Sequence, residues 1–533
     1  MQQKLIILLL IAFVPFHGYG QLQINWQKCY GGSKEDGAQS LIKTGNGFVI
    51  VGFAGSHDGD ISYSHGLGDG WIVRTDSIGN LLWEKTYGGS DAENFWDGFS
   101  TNDETGFYLL GSSLSIDGDC TGNPYPGGGN AWAVKTDTSG NIVWSKMYGG
   151  TGLEEVNAGT ATTDGGAVIY GLTSSDDGDV TNYYGAYDMW GIKLDSQGNK
   201  DWDLSIGTSS FDYGKIVIQT SDHGYLFSGG AMFDGTPGNI TCMPHNYKPE
   251  AVIVKTDSAG NIEWQNCYGG SAGEMAMGLL ETDDGYLFSA LAKSNDGDVT
   301  GHHGWDNIDI WLVKLDFSGN IVWEHCYGGT DYDDAFNLFK TNDGGYMVFG
   351  FTRSHDGDVV GNHSNQYKSD IWIFKIDSVG NLLWQQCIGG VSNQEVFKGV
   401  QRISDSEYVV AATTVDDGFT GNMDCSTHGL NRDFWLFKVT DTSTIVGLSE
   451  DKALLEQKVY PNPARDYVIL ELPVKPVSPA VFSVHDIYGR LITTLPVKAK
   501  KTVWITRSVK AGVYLYTLAG KGITVSGKIV VRE

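Results

Sequence analysis

Proline is scarce, at 12 in 533 residues, and between residues 21 and 441 the only arginines are Arg74, Arg353, Arg402 and Arg432. Basic charge is short overall: 36 Lys and Arg stand against 64 Asp and Glu, a net −28. The deficit is uneven. Residues 459–533 hold eleven basic and four acidic side chains, a net +7, so residues 1–458 carry −35. A body this acidic excludes a nucleic-acid partner, because phosphate contacts need a basic face. It also disfavours a polyanionic substrate and leaves cation binding open. After the first twenty residues no apolar run is long enough for a membrane helix. No helical periodicity, Ser/His/Asp signature, glycine-rich phosphate loop or Cys-x-x-Cys occurs.

What is present is glycine (73) and aromatic residues (12%), the composition of many short strands joined by tight turns. The opening MQQKLIILLLIAFVPFHGYG has Lys4, an apolar run and small residues Gly18 and Gly20. It reads as a signal peptide, residues 1–20, cut after Gly20. Cys29 lies too far along for a lipoprotein anchor.

Tryptophans at 26, 83, 144, 202, 264, 323 and 384 recur at spacings of 57, 61, 58, 62, 59 and 61. They mark seven units of about sixty residues. The sixth unit reads AFNLFKT, a turn NDG, GYMVFGFT, a long loop, DIWIFKID, a turn SVGN, then LLWQQC. That is four strands per unit. The fold expected is all-β: a seven-bladed β-propeller of four-stranded blades, followed by a small C-terminal β-sandwich. Unit seven stops at DFWLFKVTD (433–441) with no tryptophan strand, and the N-terminal stretch around Trp26 has a tryptophan strand but no unit before it. The N-terminal strand therefore closes the last blade, leaving no exposed edge.

A second tryptophan set, Trp71, Trp132, Trp190, Trp311, Trp372 and Trp435, opens the third strands and is expected in the core. Cys29, Cys267, Cys326 and Cys387 all follow a marker tryptophan by three residues, a slot filled elsewhere by Thr86, Met147 and Ser205. Equivalent positions in different repeats lie too far apart to bond. Cys120, Cys242 and Cys425 fall in loops of non-neighbouring repeats, so no essential disulfide is expected.

Strand alternation puts all long loops on one face, where binding usually resides. These loops share Asp-Gly-Asp: Asp58/Asp60, Asp117/Asp119, Asp177/Asp179, Asp296/Asp298 and Asp356/Asp358. Calcium is the ion those carboxylates would take; the other reading is a turn capped by its own carboxylate. A second acidic set, Asp36, Glu93, Glu154, Asp212, Glu274 and Asp333, is expected to ring the channel mouth. It would hold a cation or polar ligand there, or cap the links into the first strands. Loop aromatics and histidines suit sugar rings and form the expected ligand-binding face: Tyr63, His65, Tyr125, Tyr184, Tyr187, Tyr247, His303, Trp305, Tyr367 and His428. No cofactor other than calcium is implied.

Unit six carries Gly328-Gly329, Gly345, Gly350, Thr352, Ser354, Asp370, Trp372, Lys375, Asp377, Gly380-Asn381 and Trp384, and in these it resembles bacterial β-propeller repeats. Sialidase-like Asp-box turns have different Asp–Gly–Trp spacing, and the arginine cluster those enzymes need is missing. The tail stretches YPNPARDYVILEL (460–472), VFSVHDIYGRLI (481–492), AGVYLY (511–516) and GKIVVRE (527–533) resemble the type A C-terminal sorting domain of the Bacteroidetes type IX secretion system. The resemblance implies a small β-sandwich read by the outer-membrane export machinery, with the protein then released or held at the cell surface.

The expected organisation is signal peptide 1–20, propeller 21–441, linker 442–458 and sorting domain 459–533. The expected role is a non-catalytic binding or adhesion module for glycans or surface proteins, with the secretion machinery as partner. The alternatives are an extracellular polysaccharide hydrolase or lyase, using acids at the channel mouth, and a structural surface protein.

Overall fold

The computed structural model describes residues 18–19, 22–125, 128–234, 238–245, 248–304, 307–365, 367–415, 421–425, 427–428, 431–442, 458–472, 480–486, 490–520 and 523–532. The chain divides into two compact units, Met1–Asp441 and Thr442–Glu533. Among the described residues there is no α-helix, and a 3-10 turn at Gly118–Cys120 is the one helical element.

The first unit is a succession of seven antiparallel sheets. In sheet one the strands are Asp36–Thr44, Gly47–Ala54, Asp69–Asp76 and Leu81–Tyr87, paired in that order. Sheets two to six repeat this from 93–148, 154–206, 212–268, 274–327 and 333–388. In sheet six Gly18–Tyr19 also pairs in parallel with Trp384–Gln385, upstream of the expected signal-peptide cut. Sheet seven takes three consecutive strands' worth of chain from 394–441 and its fourth strand, Leu22–Tyr30, from the N-terminus. Leu22 to Tyr30 run antiparallel to Asp441 to Phe434.

Apolar residues bury between consecutive sheets, as in a propeller. Trp71 and Val51 of sheet one meet neighbours on either side, and Val409, Phe434 and Leu436 of sheet seven share a core with Leu41, Ile50 and Trp71 of sheet one. The third-strand tryptophans are almost wholly buried. Each indole N–H finds an acceptor on the fourth strand, which burial requires: Trp71 donates to Glu84 at 2.8 Å, Trp311 to Glu324 at 2.7 Å and Trp372 to Gln385 at 2.8 Å. Trp435 in sheet seven donates to Gln27, 3.0 Å away on the N-terminal strand.

In five sheets the fourth strand ends in a tyrosine that latches the next sheet; sheets three and six end in Ile206 and Ile388 instead. Tyr87, Tyr148 and Tyr268 donate to the carbonyls of Gly140, Gly198 and Gly319 at 2.7, 2.6 and 2.6 Å. Tyr30 on the N-terminal strand donates in the same way to Gly79 of sheet one. Gly79 has φ +79°, and a side chain there would strike Trp26, so the turn admits only glycine.

The cysteine expectation is overturned. Cys29 bonds Cys425 and Cys242 bonds Cys267, with Cα separations of 5.8 and 5.5 Å. The partners are not equivalent positions in different repeats. In both cases a long-loop cysteine reaches the fourth strand of its own sheet. Cys29 and Cys425 are 396 residues apart in sequence, yet the N-terminal strand's place in sheet seven puts Cys29 beside that sheet's long loop. Cys120, Cys326 and Cys387 are free and buried.

In the second unit two sheets share one core. Val468, Leu470 and Trp504 come from the sheet of Lys458–Tyr460, Tyr467–Glu471 and Lys501–Ile505. Phe482, Val484, Tyr516, Leu518 and Ile529 come from the four-stranded sheet of Ala480–Asp486, Leu491–Val497, Gly512–Gly520 and Ile523–Val531.

Candidate functional site

The acidic set expected at a channel mouth is buried. Asp36, Glu93, Glu154, Asp212, Glu274 and Asp333 open the first strands, each 2% exposed or less. Their carboxylates turn into the links that precede the strands, Gly-Gly in five cases and Gly207-Thr208 for Asp212. Asp36 accepts from Gly32 N at 2.8 Å, Gly55 N at 3.0 Å and Ser56 Oγ at 2.8 Å. Glu274 accepts from Gly270 N at 2.8 Å and Ser294 N at 2.9 Å. Asp333 accepts from Gly329 N at 2.9 Å and Ser354 Oγ at 2.8 Å. A free link N–H would be costly at such depth, so these acids cap the link, and they offer no open ring of charge. Burial pushes Asp212 and Asp333 up to about 7.

The Asp-Gly-Asp carboxylates are spent on the same links. Asp58 accepts from Ser33 N at 2.7 Å, and Asp60 from Gly31 N at 3.1 Å. Asp117 and Asp119, Asp177 and Asp179, Asp296 and Asp298, and Asp356 and Asp358 take the corresponding N–H groups. Among the described residues no three His, Cys, Asp or Glu side chains gather as a metal group would need.

The loop aromatics and histidines do not converge either. His65, His303 and His428 sit at three separate joints. Each reaches its own sheet's third-strand acid and the next sheet's Asp-Gly-Asp loop. His303 Nδ1 lies 2.8 Å from Asp309 and Nε2 3.6 Å from Asp358; His428 lies 3.3 Å from Asp433 and 3.7 Å from Asp60; His65 lies 3.5 Å from Asp69 and 3.8 Å from Asp119. The hydrogen bond to Asp309 raises the pKa of His303. Tyr63 stands edge-on to His65, Tyr187 packs on Phe211, Tyr125 and Tyr184 sit in loop turns, and Tyr367 is exposed. Tyr247 and Trp305 lie outside the described residues.

The residues that do converge were not singled out from sequence. In sheets one to six the first strand carries a β-bulge, whose extra residue is Gln39, Trp96, Asn157, Lys215, Met277 or Phe336. Sheet seven has a break at the same place, between Gln394–Glu395 and Val400–Arg402, that presents Phe397 and Lys398. A bulge leaves its residue unpaired and re-aims it. All eight side chains line one cavity of about 370 Å³, with Ile216, Met275, Leu291, Tyr332, Asp334 and Phe351. The volume is within the range of small-ligand pockets.

The polar groups on this wall are few. Lys398 is half-buried and is used internally, donating to the Asn157 carbonyl and lying 3.5 Å from Asp97. Asp97 in turn accepts from Gly98 N at 2.8 Å and Gly159 N at 3.1 Å. Burial lowers the pKa of both Lys398 and Lys215. Burial pushes Asp334 up to about 7. Its Oδ2 accepts from the Tyr332 hydroxyl at 3.2 Å, while Oδ1 is buried without a hydrogen-bond partner. The Arg353 guanidinium stacks on Tyr332 at 5.3 Å. The sequence signal for this wall lies three residues past each of the six buried acids, and past Gln394 in the seventh repeat. There the repeat changes from Gln to Trp, Asn, Lys, Met, Phe and Phe, while the preceding residue stays apolar or glycine.

Comparison with known proteins bears on the second unit. Residues 458–532 match the secretion system C-terminal sorting domain. The chain therefore carries a type IX sorting tail beside a propeller-like body. No curated protein matches the chain. Among solved structures, a fungal alcohol oxidase shares 10% identity over 96% of this chain and 100% of its own, at a TM-score of 0.38. A duf4221 family member from Bacteroides vulgatus shares 8% over 62% and 92%, at 0.31. PorZ, a surface component of the type IX system of Porphyromonas gingivalis, shares 9% over 95% and 100%, at 0.14. Likenesses this slight carry nothing about activity. No described helix is long and apolar enough to cross a membrane.

Proposed function

We propose that this is an exported cell-surface or secreted protein, with a signal peptide at 1–20, a closed seven-bladed propeller at 21–441, a linker at 442–458 and a sorting domain at 459–533. The propeller is a binding module for a glycan or surface protein, and the group it recognises enters the central cavity. One observation carries this reading: seven sheets built on one repeat each send their irregular residue to the same cavity, and those residues differ in chemistry. The repeat provides the frame, and the variation lies where a ligand would touch it.

The test is a screen of the full chain against polysaccharides, their hydrolysates and surface proteins, repeated with Trp96→Ala and Phe336→Ala, and with Tyr63→Ala and Tyr367→Ala. Loss of binding in the first pair alone supports the central site. Loss in the second pair alone moves the ligand to the loops.

A hydrolase or lyase is the second reading. Asp334 supports it, because a carboxyl held near 7 beside a tyrosine hydroxyl suits proton transfer at neutral pH. Turnover abolished by Asp334→Asn, with binding kept, would favour it.

A further inference from the structure

We infer that the central cavity takes a six-membered ring bearing a single carboxylate, with that carboxylate on Lys215. The inference rests on the reading of the cavity as the binding site and names the class of ligand.

Three observations lead there. The first is the cation left over. Lys398 has Asp97 and the Asn157 carbonyl as partners. Lys215 lines the same cavity, and among the described residues no hydrogen bond or ion pair engages its ammonium group. The second is mutual repulsion. The Lys215 charge acts on Lys398, and the acids that act on Lys215 are Asp334 and, more weakly, Glu155. An anion beside Lys215 relieves that repulsion and the cost of burying its charge. The third is the remaining wall. Trp96, Phe336 and Phe397 supply aromatic surface for a ring, and Met275 and Met277 fill around it.

The number of charges argues for one carboxylate. A phosphate dianion needs several free cations or a cradle of backbone N–H groups. Here one lysine is free, and the Asp334 carboxyl beside it would repel a second negative charge. With its proton on, Asp334 can donate through Oδ1, the atom now lacking a partner. Binding is therefore coupled to protonation of Asp334 and strengthens as pH falls from 8 to 6. The other charged groups nearby are Asp97, Lys398, Arg353, Glu155 and Glu395. None of the three acids among them lines the cavity.

Titration calorimetry on the full chain tests this with four probes: sodium glucuronate, sodium phenylacetate, methyl glucoside and inorganic phosphate. The expected result is saturable one-to-one binding of glucuronate or phenylacetate. It should weaken at least tenfold in Lys215→Met and lose its pH dependence in Asp334→Asn, with melting temperatures unchanged. Glucuronate alone would mark a sugar acid, and phenylacetate alone an aromatic acid. Binding of methyl glucoside or phosphate in preference to both carboxylates would overturn the ligand class and leave the cavity as the site. Carboxylate binding unaffected by Lys215→Met, but lost in Trp96→Ala, would do the same. No binding of any probe would overturn the class, and loss of the screened ligand only in the loop variants would overturn the site itself.

Discussion

The loop face and the central wall invert what their sequences advertise. The loop face is rich in Asp, His and Tyr at regular spacing, and looks functional. Its polar groups are largely consumed in holding the fold: Asp58 and Asp60 bind link N–H groups, and His303 joins two sheets. The central wall comes from the least regular position of an apolar strand, and looks like packing. Among the described residues it holds an unengaged Lys215 and an Asp334 Oδ1 without a hydrogen-bond partner. Repetition signals structure here, and departure from it signals a site.

The largest effect expected is from removing residues 22–30. Sheet seven would lose its fourth strand, the Gln27 acceptor, the Tyr30 latch and the Cys29 bond. Calorimetry should find the cooperative transition of the first unit abolished. An unchanged melting temperature would mean that closure is unimportant.

Next come the disulfides. By loop-closure entropy, Cys29→Ser should cost up to ~5 kcal/mol, and Cys242→Ser, whose loop closes over 25 residues, ~3 kcal/mol. Thiol counting on the unfolded, unreduced chain should return the three free cysteines, Cys120, Cys326 and Cys387.

Substitution of a buried acid should cost more than substitution of a loop acid. Asp333→Ala strands Gly329 N and Ser354 Oγ, at about 3 kcal/mol, whereas Asp356→Ala on the exposed loop should cost about 1 kcal/mol, by urea denaturation.

The pH dependence should be smaller and of fixed sign. Asp188 is held at about 6 and Asp212, Asp333 and Asp334 at about 7. A folded pKa above the unfolded value means that stability is full below the unfolded pKa and declines as pH rises to the folded one. His245, His303 and His363 are raised as well, and act in the same direction through their own range. The first unit should melt higher at pH 5.5 than at pH 8, and the reverse order would contradict these assignments.

The smallest effect is expected at Tyr63 and Tyr367, exposed at 62% and 72%. Replacement by Ala should shift stability by less than about 0.5 kcal/mol.

The tryptophan period, the turn glycines and the half unit at Trp26 made the repeat and its N-terminal strand readable, because strand pairing follows local pattern. The disulfides were not readable, since loop paths over a sheet are not periodic: Cys242 and Cys267 meet only because a loop folds back. The central wall was not readable either. A bulge changes no residue type in a predictable way, so Trp96 and Lys215 look like ordinary strand residues until the register is known. The buried acids were located on the right strand ends, but their direction depends on the link N–H groups they satisfy.

The most direct test sets Lys215→Met against the double variant Tyr63→Ala/Tyr367→Ala, with glucuronate and phenylacetate titrated into each full chain. Binding lost in the first and kept in the second is the result expected of a central site framed by structural loops. Binding kept in the first and lost in the second would contradict it.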